Sequence, residues 1–141
     1  MATEAFAGVG SLLKRGNGAV PVETFTAIAE VNSITGPNKS RSTIDATSLD
    51  SAGGYREFIA GFRDAGEVTF TANFTQDGFV LINSDFESDA FVNYQIVLSD
   101  NPATTFDFAG LVTALGIAVP MDDKVTMDVT IKISGQVTMS S

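Results

Sequence analysis

A chain of 141 residues with 44% hydrophobic side chains is long enough for one domain with its own core, without help from disulfides or metals. It has no Cys and no His, which removes disulfide scaffolds, the commonest metal ligand and the commonest neutral-pH general base together. A net charge of −9, from 17 acidic and 8 basic residues with no basic run longer than Lys14-Arg15, opposes attraction to a phosphate backbone.

In chain order, residues 1–22 hold several glycines and little alternation. Leu12 and Leu13 are their large aliphatic pair. The segment reads either as a frayed terminus or as an N-terminal arm that docks on a neighbour through those leucines. No basic start followed by an apolar stretch precedes it, and no uncharged run is long enough to cross a bilayer. The expectation is a soluble protein made in a cytoplasm, with no membrane partner.

Phe25 to Val31 is predicted as one strand, with Phe25, Ala27, Ala29 and Val31 on a shared face and Ile28 breaking the other face. Gly36-Pro37-Asn38 supplies turn chemistry after it. Residues 37–66 then read as a long polar excursion. Ser42 to Ser48 is expected to form a short strand with Ile44 and Ala46 inward. Tyr55, Phe58, Ile59 and Phe62 are too apolar to wave in water, so an ordered contact loop is favoured over a floppy one.

Glu67 to Thr75 alternates cleanly, with Val68, Phe70, Ala72 and Phe74 on one side. Asp77 to Glu87 is predicted as a helix capped by Asp77, with Phe79, Ile82 and Phe86 on the face turned to the sheet. Phe91 to Leu98 alternates again, with Val92, Tyr94, Ile96 and Leu98 inward. Two long strand patterns, Thr104 to Val119 and Lys124 to Met139, are joined by Pro120-Met121-Asp122-Asp123 as a hairpin. In the first of these the apolar phase slips near Gly110, which predicts a bulge there. Strands of this length, roughly 50 Å each, wrap around a sandwich or extend past their own domain.

No phosphate loop, nucleophile elbow, metal cluster or redox motif is present. Gly8-Val9-Gly10 precedes no strand–helix unit and reads as flexible backbone. Asp85, Glu87 and Asp89 cluster after the helix but lack a calcium-type loop, and read as a solvated acidic face. Neither catalytic nor cofactor-binding residues are assigned, and no enzyme activity is expected.

Several stretches, in order, resemble the major tail tube proteins of long, flexible-tailed bacteriophages. They are Leu13-Lys14-Arg15-Gly16, Phe25 to Val31, Ile44 to Ser51, Tyr55 to Phe62, Asp64 to Phe74 and Val125 to Gly135. The resemblance implies a mainly β, sandwich- or barrel-like tail tube domain over 1–141, with one flanking α-helix and the long C-terminal hairpin. It implies a homo-oligomer of hexameric rings stacked around a tape-measure protein, bounded by tail-end proteins. DNA would pass through without specific binding, in a virion tail assembled in the host cytoplasm. It also implies that the long loop and the N-terminal arm make ring-to-ring contacts between subunits, which points to Leu12, Leu13, Tyr55, Phe58, Ile59 and Phe62. Glu30, Asp107 and Asp128, placed on polar strand faces, are candidates for acids lining the channel. The nearest alternative is the inner tube of a contractile tail or type VI secretion apparatus. A carbohydrate-binding β-sandwich lacks an aromatic platform, having no Trp and only Tyr55 and Tyr94, and a carboxylate-dependent hydrolase lacks any motif.

Overall fold

A computed structural model describes residues 8–18, 22–28, 30–100 and 102–140. Within them the elements run β1 Leu12–Gly16, β2 Phe25–Ala27, β3 Val31–Thr35, β4 Ser40–Asp45, β5 Phe58–Asp64, β6 Glu67–Asn73, α1 Gln76–Glu87, β7 Val92–Val97, β8 Thr105–Ala118 and β9 Thr126–Ser140. Seven strands form one antiparallel sheet in the order β2-β1-β7-β8-β9-β6-β3, and β4 and β5 form a separate hairpin. The architecture is mainly β with one helix, as the alternation predicts.

The two edge strands, β2 and β3, are consecutive in the chain and separated by only residues 28–30. A seven-stranded sheet can satisfy that only by rolling until its edges approach, and β1 does touch β3. Ile28 sits buried at this seam and its N–H donates to Leu13 O. The single strand expected over Phe25 to Val31 is therefore two strands on opposite edges. The corner is turned at Glu30, which has φ 61° and lies in a turn instead of on a strand face. Ala29, counted on the inward face, lies outside the described residues.

The rolled sheet encloses a core led by Leu13, Val68, Phe70, Tyr94, Met127 and Ile131. The period-2 pattern sets this face on β6, β7 and β9. On β8 the phase slip expected near Gly110 falls between Val112 and Ala114, and it brings Leu115 to the core side already held by Phe108 and Val112. Gly110 has a different task. A Cβ there would lie 2.7 Å from both Ile131 Cγ2 and Lys132 O, so the glycine permits close packing of β8 on β9. A second irregularity sets Gly135–Val137 of β9 opposite Phe108 alone.

Helix α1 closes the core with Ile82. Its cap is Thr75, two residues before the expected Asp77; the Thr75 hydroxyl accepts from the Gly78 N–H at 3.1 Å, and Asp77 lies in the first turn. Phe79 packs on the core and against Phe74, ring centroids 5.6 Å apart. Phe86, expected inward, is exposed, and the buried position beside it belongs to Asp85. The helix turns a charged residue inward because a partner waits there. Arg15 Nε donates to Asp85 Oδ2 at 2.6 Å, Arg15 Nη2 to Oδ1 at 2.5 Å, and the Tyr94 hydroxyl to Oδ2 at 3.0 Å. The expected solvated acidic face thus loses Asp85 to a buried ion pair that ties α1 to β1 and β7.

Burial, then the nearby Asp85 charge, raises the Tyr94 hydroxyl above its ordinary value of 10.0. A raised folded value contributes stability that is fully present below the unfolded value and is lost as pH rises past it. Unfolding stability is therefore expected to fall above pH about 10, by about 1.4 kcal/mol per unit from this group. Tyr94→Phe removes that component. Equal alkaline slopes in the two proteins, measured by denaturant titration, would contradict the assignment.

Candidate assembly surfaces

The hairpin β4–β5 leaves the body between Thr35 and Glu67. Both roots are glycines with left-handed backbone, Gly36 (φ 104°) and Gly66 (φ 81°). A Cβ on Gly66 would collide with Asn38 O, and one on Gly36 with Glu67 O, so neither root accepts a side chain. The Gly66 N–H, then Lys132, hold Asp64 below the usual carboxylate range at this root. The Thr47 hydroxyl and N–H do the same for Asp45 near the tip. Residues 40–50 and 52–60 are all exposed, so the hairpin stands off the body.

The residues predicted for contacts divide accordingly. Tyr55, Phe58, Ile59 and Phe62 are all exposed on the hairpin, joined by Leu49, and Phe62 keeps 93% of its surface. Ile44 and Ala46, expected inward, are exposed because the hairpin has no core to face. Leu12 is exposed, but Leu13 is at 0% exposure in its own core, so of this pair only Leu12 can reach a neighbour. The N-terminal arm is, over Leu12–Gly16, an internal strand of the sheet between β2 and β7. Residues 1–7 and 19–21 of that expected arm lie outside the described residues.

Charge is partitioned in the same way. Residues 37–66 carry Lys39, Arg41, Arg56 and Arg63 against Asp45, Asp50, Glu57 and Asp64, so the net charge of −9 lies wholly outside the hairpin. Of the candidate channel acids, Asp107 and Asp128 share the polar face of the sheet, on the side away from the core. They lie about 30 Å apart, since Asp128 pairs with Gly116, nine positions along β8 from Asp107. Asp128 accepts from the Thr71 hydroxyl at 2.8 Å. Asp107 is half-buried beside Gln95 and Thr138, and its Oδ1 has no hydrogen-bond partner. Glu30 sits apart in its turn, accepting from the Asn73 side chain at 3.3 Å.

Two further surfaces are open strand edges, which the sequence marks by strand length but not by position. The outer edge of β8 is paired with β7 only as far as Gly110, and the outer edge of β9 with β6 only as far as Lys132. Beyond these points β8 (111–118) pairs only with residues 126–132 of β9, and β9 (134–140) only with residues 105–109 of β8, so each stretch has no described strand on its other side. The strand lengths alone signalled this, since β8 and β9 run 14 and 15 residues while β6 and β7 run 7 and 6. Among the described residues no group of three or more acids gathers as a metal site, and no helix is long and apolar enough to cross a membrane.

Open strand edges, a stand-off apolar hairpin and a polar sheet face define a protein whose working parts are surfaces for other protein chains. Residues 14–140 match the family described as the lambda phage tail tube protein, TTP, and the chain belongs to that family. The family is one of structural tail tube proteins. No curated protein matches the chain in sequence. Among solved structures, the chain is similar to the tail of an empty gene transfer agent particle refined with C6 symmetry. That likeness has 20% identity and a TM-score of 0.77, covering 97% of this chain and 100% of the other. It is also similar to a chain of the sheath–tube complex of an extracellular contractile injection system, at 17% identity and TM-score 0.66, covering 93% and 88%. The SPP1 tail tube shares the fold at 6% identity and TM-score 0.67, covering 93% of this chain and 76% of that one.

Proposed function

We propose that copies of this chain close into hexameric rings that stack into the tube of a virion tail, and that the chain performs no catalysis. Support comes chiefly from the two open edges. They lie on opposite sides of one hairpin and run in opposite directions, so two copies set side by side bring β8 (111–118) against the neighbour's β9 (134–140) as antiparallel strands. The contact is heterologous, with different patches from each copy, and such contacts close into a ring when the rotation per copy permits. Closure removes the hazard of an exposed edge.

In this tube the polar sheet face turns to the bore, so Asp107 and Asp128 present negative charge to DNA, which passes without specific binding. Glu30 stands at the end of the sheet instead of along its face. The hairpin, residues 37–66, and Leu12 make contacts between copies. A tape-measure protein fills the bore during assembly in the host cytoplasm, and tail-end proteins limit the length. Replacing Asp107 and Asp128 by lysine is expected to slow DNA ejection; an unchanged ejection rate would refute the role of these acids. Negative-stain microscopy of the purified chain tests the assembly itself. Rings or hollow filaments are expected, and isolated beads at every salt and protein concentration would overturn it.

A further inference from the structure

Of the seven asparagines in the chain, Asn17 alone precedes a glycine. In that dipeptide the next backbone nitrogen is least shielded, because glycine carries no Cβ beside it. The pair follows directly on β1, and the approach to β2 and strand β7 surround it with polar groups. The Asn17 N–H donates to Thr24 O, and the Thr24 N–H donates to Asn17 Oδ1, both at 3.1 Å. The Gly18 N–H donates to Glu23 Oε2 at 2.7 Å. The other carboxylate oxygen, Glu23 Oε1, accepts from Asn93 Nδ2 on β7, also at 2.7 Å. A Cβ on Gly16 would collide with this carboxylate, so the glycine leaves the space that Glu23 occupies.

These contacts supply the parts of an acyl transfer within the chain. The Asn17 side-chain amide carbon is the electrophile. The Thr24 N–H donates to its oxygen, where negative charge develops during attack. A carboxylate, oriented by a third group, sits on the proton of the attacking nitrogen. The tube reading uses none of these groups, and Asn17 and Gly18 are both exposed.

We propose that Asn17-Gly18 is a self-modifying site, a single-turnover event in its own chain, in which Glu23 takes the proton of the Gly18 nitrogen as that nitrogen attacks Asn17 Cγ. Glu23 hands the proton to the departing side-chain nitrogen, which leaves as ammonia, and a cyclic imide remains. Water opens the imide at one carbonyl or the other, giving aspartate or isoaspartate at position 17. No electrons are gained or lost. Each event adds one negative charge, beside Glu23, to a chain already at −9. Isoaspartate also lengthens the main chain at the end of β1, next to the Gly16 and Phe25 pair that holds the edge strand β2.

Peptide mapping of the purified chain by mass spectrometry, after incubation near neutral pH, tests the site whatever the chain assembles into. Conversion is expected at Asn17 ahead of Asn32 and Asn83, which precede serine. It is expected to run at least about tenfold faster in the folded chain than in urea, because a positioned base speeds proton removal. Glu23→Gln is expected to abolish that advantage in the folded chain and to leave the rate in urea unchanged. In the folded parent the rate is expected to hold as pH is lowered through neutrality, whereas in Glu23→Gln it is expected to fall in proportion to hydroxide. Of the described charged groups, the Arg15 guanidinium of β1 faces Glu23 and is itself paired with Asp85 of α1; it keeps its charge throughout. Asn93 of β7 is neutral. A folded rate no higher than the rate in urea, or equal folded rates in parent and Glu23→Gln, would overturn the proposal. A folded parent rate that falls with hydroxide would do the same. If melting curves show that Glu23→Gln does not fold, the two comparisons on the parent decide alone.

Discussion

Replacing Asp85 by alanine is expected to destabilise the folded chain by about 3–5 kcal/mol, because it leaves the Arg15 guanidinium inside the fold without its partner. Arg15 keeps only 22% of its side-chain surface and Asp85 3%, so solvent cannot substitute for the lost carboxylate. The Tyr94 hydroxyl, wholly buried, loses its acceptor in the same step. A domain of this size is stable by about 5–15 kcal/mol in total, so the loss takes a large share. Arg15 lies on β1 and Asp85 on α1, 70 positions apart, so the pair also fixes where the helix sits on the sheet. Removing both charges and the hydroxyl that depends on them, in Arg15→Met/Asp85→Leu/Tyr94→Phe, is expected to recover most of the loss, because a buried polar network exchanged for apolar side chains is often close to neutral. Urea midpoints at unchanged m-value report this directly. A loss under about 1 kcal/mol for Asp85→Ala would show that Arg15 is adequately solvated without it.

The largest effect on assembly is expected from the hairpin. Leu49, Tyr55 and Phe62 are exposed in the free chain, and each is worth about 1.5–3 kcal/mol if a neighbour covers it. Changing all three to aspartate removes that gain and adds three negative charges to the one part of the chain that is neutral. The concentration needed for tubes is expected to rise at least about a thousandfold, which corresponds to roughly 4 kcal/mol. The folded monomer is expected to change by no more than about 0.5 kcal/mol, because the hairpin touches no core. Sedimentation of assembled material against protein concentration gives the first quantity and thermal melting the second. Tubes that form at the parent concentration would show that the hairpin is not an assembly element.

What the sequence disclosed follows from where burial is one-sided. On β6, β7 and β9 one face meets the core and the other does not, so alternation marked the strands and their inward residues. On β4–β5 neither face is buried, so no alternation arises, and Ile44 was assigned to a core that is not there. Phe25 to Val31 read as one strand because apolar residues run through the corner at Ile28, which is buried at the seam itself. Asp85 looked like part of an acidic surface because its partner lies in β1, and a pairing across 70 residues leaves no local trace. The open edges of β8 and β9 were legible as excess length but not as edges, since strand order is a tertiary property.

Hydrogen–deuterium exchange on the free chain and on sedimented assemblies tests most directly whether main-chain bonding passes between copies. Amides of residues 111–118 and 134–140 that face away from their own hairpin partner are expected to exchange freely in the monomer and to become protected together on assembly. The amides of β6, already paired on both sides, are expected to change little. Assemblies in which both edges exchange as fast as in the monomer would contradict a wall of continuous strands.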